Sequence, residues 1–237
     1  MAQASYGDFE SVRRALGGCA VVLMVSGSES ATRVAEHRTF VDAAAEAGVH
    51  HIVYTSFHGA APDATFTLVR DHFATEAHIR SSGTSWTFLR DNLYLDVFPF
   101  LADEEGEIRG PAGDGWVSAV ARDGIAAALV AVLRDPASHE GSTYGLTGPS
   151  ALSLGEAAAM MSDRLGKRFT FRDETIEEAY ASRASYDAPD WQVDAWVSTY
   201  TAIASGELSD VTDGIERLIG RPPMSLSDLL PRLVSSG

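Results

Sequence analysis

Residues 20–56 read AVVLMVSGSESATRVAEHRTFVDAAAEAGVHHIVYTS, and this stretch decides the fold. Its first part, Val21–Val25, is a continuous apolar run, and its last part, Val49–Tyr54, is apolar and β-branched at its centre. Both patterns are typical of strands that are covered on both faces. The stretch therefore predicts two buried strands with a helix between them.

The helix between these strands has signals at both ends. Ser28 or Ser30 can cap its first amides, and Gly48 supplies the left-handed residue at which a helix stops before a strand. A strand, a helix and a strand with such short connections form a right-handed βαβ unit, in which ligands bind at the carboxyl ends of the strands. We therefore expect a ligand beside residues 26–29 and 55–58, although ordinary polar turns explain the same residues equally well.

A second βαβ unit is expected to follow the first. A helix is predicted from about residue 67 to residue 82, closed by Gly83, and Trp86–Arg90 reads as a strand. Asp91–Tyr94 comes next, at the carboxyl end of that strand, where the same ligand crevice would lie.

After residue 147 the pattern changes to helices with small strands between them. Ser153 with Glu156 predicts a capping box at one helix start, and Ser225 with Asp228 is a similar start signal for the last helix. Segments of this kind are typical of a small lobe rather than of a continued parallel sheet.

The fold class expected from these patterns is α/β. Residues 1–147 are predicted to form a doubly wound parallel, Rossmann-like sheet, and residues 148–237 a smaller α+β lobe over the crevice. A length of 237 residues suits one large domain with a small lobe better than two independent domains.

Charge and hydropathy exclude several classes of protein. With 33 acidic and 18 basic residues the net charge is −15, which repels nucleic acid phosphates and disfavours direct nucleic-acid binding. No apolar run is long enough to span a membrane, and the first residues lack the apolar core of a signal peptide. The single Cys19 allows no intrachain disulfide and is predicted to be a small buried hydrophobe rather than a nucleophile. We therefore expect a cytoplasmic protein.

Several segments in order resemble the NmrA-like atypical short-chain dehydrogenases and reductases, particularly bacterial NAD(P)H:quinone oxidoreductases and triphenylmethane reductases. The resemblance runs over nearly the whole chain. It is carried by AQASYGDFESVRRALGG at the start, SGSE, EHR, AGVHHIVYTS, DHFATE, FLRDNLY, AGDG and ARDGIAAAL. It implies a nucleotide-binding domain with a small substrate lobe, an NADP or NAD cofactor with NADPH slightly preferred, and hydride transfer to a quinone-like or other conjugated acceptor.

The chain departs from this family at its front. In the family a first strand, a GxxGxxG loop, a helix and a second strand precede the segment that begins here at Ala2, and the loop binds the pyrophosphate through backbone amides. Only 20 residues precede Val21, and neither Gly7 nor Gly17–Gly18 can replace that loop. The sheet is expected to lack its first strands, because of either a start assigned too far downstream or a natural short form without tight cofactor binding.

The resemblance also implies the residues of the site. His72 would hydrogen-bond the nicotinamide ribose and donate a proton to the reduced substrate, unless it only makes a surface pair with Glu76. Tyr94 would contact the acceptor ring as a second catalytic residue. The cofactor-binding residues would be Ser26, Gly27, Ser28, Thr55, Ser56, Phe57, His72, Arg90 and Asn92.

An apolar slot for the substrate is expected from aromatic side chains, which are otherwise core residues. The candidates are Phe57, Phe98, Trp116 and Trp191, together with Tyr94. No metal site is expected, because His50 and His51 are adjacent on a strand and point to opposite faces.

The chemistry of conventional short-chain dehydrogenases is excluded by the lysine content. Those enzymes use a Tyr and a Lys four residues later, but Lys167 is the only lysine here and Asp163 stands four positions before it. A quinone acceptor needs less help, because hydride delivery generates a stabilised anion that solvent can protonate, so that binding and orientation carry most of the catalysis.

Two other functions stay open from the residues. An NmrA-like fold can act as a non-catalytic redox sensor that binds oxidised and reduced dinucleotides differently and reports to a protein partner. The 237-residue form could also be an incomplete, inactive domain, whose exposed edge strands would favour a homodimer.

Overall fold

The computed structural model describes residues 2–235, which form two compact units. Unit 1 contains the residues up to Ala64, Leu68–Arg90 and Leu129–Tyr144, and unit 2 contains Thr65–Thr67, Asp91–Ala128 and the residues from Gly145 onward. The change at residues 144 and 145 lies close to the predicted boundary. The units are interleaved along the chain, however, because residues 91–128 belong to the same unit as the C-terminal part.

Unit 1 is built around a parallel sheet, as predicted. Its elements are α1 (Phe9–Leu16), β1 (Val21–Met24), α2 (Arg33–Glu46), β2 (His51–Phe57), α3 (Thr67–Ser81), β3 (Ser85–Asp91), the later part of α4 (Arg122–Arg134) and most of β6 (Ser142–Leu146). The hydrogen-bonded order of the strands is β1-β2-β3-β6, and Val21 of β1 pairs in parallel with His51 of β2. Val41, Ala44, Ile52 and Phe88 are fully or almost fully buried in its core, which explains the apolar runs of the sequence.

Two local expectations in unit 1 are corrected. Helix α2 is capped by Thr32, without a side-chain hydrogen bond to the helix, rather than by Ser28 or Ser30. The Ser30 hydroxyl accepts from the Thr32 amide and pairs with the Thr32 hydroxyl, each at 3.3 Å, and so does not cap the helix. Cys19 is exposed rather than buried, because it lies in the turn before β1 and not in the strand.

Unit 2 contains short strands and helices. The strands β4 and β8 pair in parallel, and β5 and β7 pair antiparallel. The elements after β3 are the 3₁₀ helix Leu95–Phe100, β4 (Glu107–Gly110), β5 (Trp116–Val117), α4 (Arg122–Arg134), β6 (Ser142–Leu146), β7 (Leu152–Ser153), α5 (Leu154–Leu165), β8 (Thr170–Asp173), α6 (Ile176–Arg183), α7 (Asp190–Ala204), α8 (Gly214–Ile219) and α9 (Leu226–Ser235).

The predicted helix starts of this region are confirmed. Ser153 and Glu156 form a capping box in which each satisfies a backbone amide of the other. The Ser225 hydroxyl accepts from the amide of Asp228 before α9. No helix within residues 2–235 is both long enough and apolar enough to cross a membrane.

Candidate functional site

The carboxyl ends of β1 and β2 are joined by hydrogen bonds. The amide of Ser26 donates to Thr55 Oγ1 at 2.8 Å, and the amide of Gly27 donates to His37 Nε2 at 2.9 Å. These two predicted cofactor-binding amides are therefore used within the protein. Val25 stands beside them with 52% of its surface exposed, so the crevice has an apolar contact that the sequence did not single out.

Gly27 permits this close approach to His37. A Cβ at residue 27 would lie 3.2 Å from His37 Nε2, which is tighter than ordinary contact. Because Nε2 accepts from the Gly27 amide, the ring proton is on Nδ1, which lies 2.9 Å from Thr75 Oγ1. Burial and then the charge of Arg33 lower the pKa of His37 to about 4, so this histidine is neutral at pH 7.

His72 is also a buried, neutral histidine. Arg33 donates to its Nε2 at 2.8 Å, so the ring proton is on Nδ1, which lies 3.0 Å from the Tyr54 hydroxyl. Burial above all, and then the charges of Arg33 and His37, hold the pKa of His72 well below its ordinary value. Both nitrogens are occupied in this arrangement, which disfavours the predicted proton donation to a substrate. The Phe57 ring lies 5.9 Å from the His72 ring, centroid to centroid.

Arg33 is a buried cation whose charge is only partly compensated. It is 4% exposed, its Nη1 lies 4.0 Å from the Asp71 carboxylate, and its Nε has no hydrogen-bond partner within the described part of the chain. Burial raises the pKa of Asp71 and Arg33 opposes this. An unpaired buried donor is costly unless it has a partner, so Arg33 marks a place where an electron-rich group can bind.

Glu76 binds side chains near the carboxyl ends of β2 and β3. It is fully buried and accepts from Ser56 Oγ at 2.6 Å, from Arg80 at 3.0 Å and from Arg90 in a bidentate pair at 2.8 and 2.7 Å. The predicted surface pair of Glu76 with His72 is therefore wrong. The side chains of Ser56 and Arg90 are engaged by this carboxylate, as that of Thr55 is by the Ser26 amide, and the assignment of the cofactor-binding residues stays a prediction.

Asn92 and Tyr94 belong to unit 2. The amide nitrogen of Asn92 donates to Ser118 Oγ and to the Leu208 carbonyl, each at 3.0 Å, and its oxygen accepts from the amide of Leu93. This buried amide is thus satisfied internally, which disfavours the predicted contact with a cofactor carboxamide. Tyr94 donates to the carboxylate of Asp91 at 3.0 Å and its role in catalysis stays a prediction.

Unit 2 contains a cavity of about 620 Å³. Of the residues predicted for an apolar substrate slot, Phe98 lines this cavity, and Phe57, Tyr94, Trp116 and Trp191 do not. Its lining residues are Leu93, Val97, Phe98, Phe100, Leu101, Ala102, Asp103, Glu107, Arg109, Leu154, Ser182, Arg183, Tyr186, Trp196, Thr199, Tyr200 and Ile203.

The sequence carried a signal for the residues of this cavity that was missed. Trp196, Thr199, Tyr200 and Ile203 follow the spacing i, i+3, i+4 and i+7, which places them on one face of α7. No comparable local signal exists for the contact of Arg33 with His72, because 39 residues separate them. Within residues 2–235, no group of three or more His, Cys, Asp or Glu side chains could hold a metal ion.

Comparisons with known proteins agree with this architecture. A family model described as NAD(P)H-binding matches residues 1–136. Quinone oxidoreductase 2 of Escherichia coli (strain K12) is 33% identical over 98% of this chain and 81% of its own length. A crystal structure of the NADPH-dependent quinone oxidoreductase QOR2 from E. coli, complexed with NADPH, superimposes with a TM-score of 0.89, covering 98% of this chain and 83% of that one.

Two further relatives are also named as reductases. NAD(P)H azoreductase of Xenophilus azovorans is 31% identical over 95% of this chain and 80% of its own length. The triphenylmethane reductase of Citrobacter sp., complexed with NADP(H), is 30% identical, with a TM-score of 0.84 over 97% of this chain and 82% of that one. The α/β fold, the parallel sheet and these matches establish that the chain belongs to the NAD(P)H-binding family of NmrA-like proteins.

Proposed function

We propose that this protein is a reductase that uses NAD(P)H to reduce quinone-like acceptors. The observation that carries the proposal is the hydrogen-bonded chain of Arg33, His72 and Tyr54 beside two parallel strand ends. Relatives named for quinone, azo and triphenylmethane reduction support the same class of reaction.

The residues at these strand ends fit the nicotinamide half of the cofactor. Val25 and Phe57 offer apolar contact for a flat ring, and Ser28 offers an exposed hydroxyl. The unpartnered Nε–H of Arg33 suits an oxygen of the ribose or the carboxamide. When bound, NAD(P)H supplies a hydride, and the protein supplies binding and orientation.

Arg33 orders the groups around it. By donating to Nε2 it keeps His72 in the Nδ1–H tautomer, which in turn donates to the Tyr54 hydroxyl. His72 is therefore a positioning residue rather than an acid. A site without an internal acid suits a quinone, because solvent can protonate the anion that hydride transfer generates, and the positive charge of Arg33 stabilises the developing negative charge.

The proposal is tested by NADPH oxidation with 1,4-benzoquinone, using the 237-residue chain. We expect turnover that depends on both reactants, and a decrease in kcat/KM of roughly tenfold or more in Arg33→Leu, as removal of one stabilising group typically causes. Arg38→Leu is the matched control, because Arg38 lies on the same helix but is exposed. Circular dichroism of both variants checks that they fold.

Two results would count against the proposal, the first against a reductase and the second against the role of Arg33. One is the absence of turnover with benzoquinones, naphthoquinones and azo dyes, while calorimetry still detects NADPH binding. That combination would favour the redox sensor. The other is an equal loss of activity in Arg33→Leu and Arg38→Leu, which would remove the assigned role of Arg33.

A further inference from the structure

The cavity of unit 2 has a volume that suits a small organic ligand. Its 620 Å³ lies within the range of roughly 300 to 1,000 Å³ that is usual for ligand pockets. Phe98, Leu154 and Ile203 are buried within its wall, whereas Phe100 and Tyr186 are 81% and 68% exposed. Because both line the cavity, they extend its apolar wall into an exposed apolar area of the kind that marks ligand-binding grooves.

The walls of this cavity are aromatic on several sides. Trp196 and Tyr200 lie on the same face of α7, and the Tyr186 ring packs edge-on against Trp196 at 5.7 Å. The Tyr200 ring covers Gly110 so closely that a Cβ at residue 110 would overlap it. Tyr200 is therefore held in place by Gly110 and by the Arg183 guanidinium, which lies over its ring at 5.3 Å from the centroid, and aromatic ligands bind favourably beside fixed aromatic side chains.

The formal charges of the lining residues sum to zero. Asp103 and Glu107 are acidic, and Arg109 and Arg183 are basic. Arg109 contacts Glu107 at 2.6 Å and Asp103 at 3.2 Å. Since this guanidinium already has two carboxylates, it is not available as a counter-ion for an anionic ligand.

Arg183 is compensated as well. It is 8% exposed, donates to Glu174 at 3.0 Å and donates to the carbonyls of Ala179 and Arg109. A buried cation with these partners has no need of a ligand anion. The cavity therefore favours an uncharged ligand.

The oxygen of the Tyr200 hydroxyl accepts a hydrogen bond from the Arg183 guanidinium, so its own O–H remains as a donor. The hydroxyls of Ser182 and Thr199 donate to backbone carbonyls of their own helices, at 3.1 and 2.9 Å. Burial raises the pKa of Tyr200, and Arg183 opposes this by less, so the phenol keeps its proton at neutral pH. A carbonyl oxygen is the complementary partner for such a donor.

We propose that the cavity in unit 2 binds a neutral, planar, fused-ring aromatic carbonyl compound, with Trp196 and Tyr200 as its principal contacts. The proposal deepens the proposed reductase function by naming the class of acceptor. The identification of this compound as the acceptor rests on that function. It assigns selection of the acceptor to residues of unit 2 alone. Binding itself requires no NADPH and no electron transfer.

The test is calorimetric titration of the full 237-residue chain without cofactor. The probes are 2-(hydroxymethyl)anthraquinone, which is neutral, and anthraquinone-2-sulfonate, which has the same rings and a negative charge. We expect the neutral probe to bind at least tenfold more tightly. Trp196→Leu should weaken its binding about tenfold, and Tyr200→Phe about three- to tenfold, as loss of one aromatic contact or one hydrogen bond predicts.

Tyr180→Phe is the matched control for Tyr200→Phe. Tyr180 lies outside the cavity and its hydroxyl donates to Asp194 at 2.8 Å, so we expect unchanged binding of the neutral probe. Thermal unfolding of each variant shows whether a loss of binding reflects a loss of structure. If Trp196→Leu fails to fold, Tyr200→Phe decides alone, because it removes a single oxygen atom.

Three outcomes would overturn the cavity assignment: absence of binding to the unsubstituted chain, equal or tighter binding of the sulfonate, or unchanged binding in both cavity variants. The proposed function fails differently. Turnover of benzoquinone without anthraquinone binding refutes the cavity and leaves the reductase intact. Anthraquinone binding without any NADPH oxidation supports the cavity and refutes the reductase.

Discussion

In unit 1 the buried Arg33 contacts a neutral histidine and lies 4.0 Å from its nearest carboxylate, whereas in unit 2 the buried Arg183 donates to Glu174 at 3.0 Å and to two carbonyls. One cation is left partly uncompensated and the other is neutralised. The difference assigns the two units different ligands: an electron-rich group beside Arg33 and an uncharged ring beside Arg183. Substitutions or pH changes that alter the charge should therefore have different effects in the two units.

The largest effect is expected from pH acting on unit 1. The pKa of His37 is about 4 in the folded chain and 6.5 when unfolded, so below pH 6.5 the unfolded chain binds more protons. The free energy of unfolding should fall by about 3 kcal/mol between pH 6.5 and pH 4 from this residue. Urea unfolding at a series of pH values measures the slope.

His37→Gln isolates this contribution, because a Gln side chain can still accept from the Gly27 amide but does not titrate. The variant should lose less stability than the unsubstituted chain over the same pH range. An identical slope in both chains would mean that His37 is not held neutral by its surroundings.

The next largest effect is expected at Glu76. Glu76→Leu removes the carboxylate that Arg80 and Arg90 share, and should lower the free energy of unfolding by about 2 kcal/mol. The loss is smaller than for fully buried partners, since the arginine side chains are 38% and 26% exposed. Glu46→Leu is the control, because the Glu46 side chain is 61% exposed and lies 3.8 Å from Arg13. Equal effects of the two substitutions in urea unfolding would contradict the assigned role of Glu76.

Charge in unit 2 can be changed by Glu174→Gln. This substitution removes the negative partner of Arg183 without altering the size of the side chain. We expect anthraquinone-2-sulfonate to bind roughly fivefold more tightly in calorimetry, because Arg183 then has an uncompensated positive charge that attracts the sulfonate. An unchanged affinity would show that Arg183 does not influence ligands in the cavity.

The smallest effect is expected at Trp191. Trp191 and Trp196 lie on the same helix, but only Trp196 lines the cavity. Trp191→Leu should therefore change anthraquinone affinity by no more than about twofold, which is within the scatter expected for a distant substitution. A loss of affinity as large as that in Trp196→Leu would support the sequence prediction that Trp191 belongs to the substrate site.

Local patterns were sufficient for the framework of unit 1. The apolar run that became β1 and the glycine at residue 48 act over a few residues, and both were found where predicted. The capping box of Ser153 and Glu156 is local in the same way. Expectations that depended on an exact boundary were less reliable, as Cys19 shows, because β1 begins two residues later.

The site itself depends on contacts between distant residues. His72 was predicted to be a central residue of the site, and its bonds to Arg33 and Tyr54 span 39 and 18 positions. No local pattern reports such contacts, and they turned a predicted donor into a buried, neutral group. For the residues of α7, the spacing indicates that they share one face of the helix, but it does not indicate that this face borders a cavity.

The periodic face of α7 has a consequence for altering the specificity of this protein. Trp196, Thr199, Tyr200 and Ile203 are encoded within eight consecutive codons, and their side chains form one side of the cavity. A single short mutagenic oligonucleotide can therefore diversify the shape of the cavity without changing any residue around Arg33. Libraries confined to this helix would vary the ligand preference of the cavity while leaving the residues of unit 1 constant.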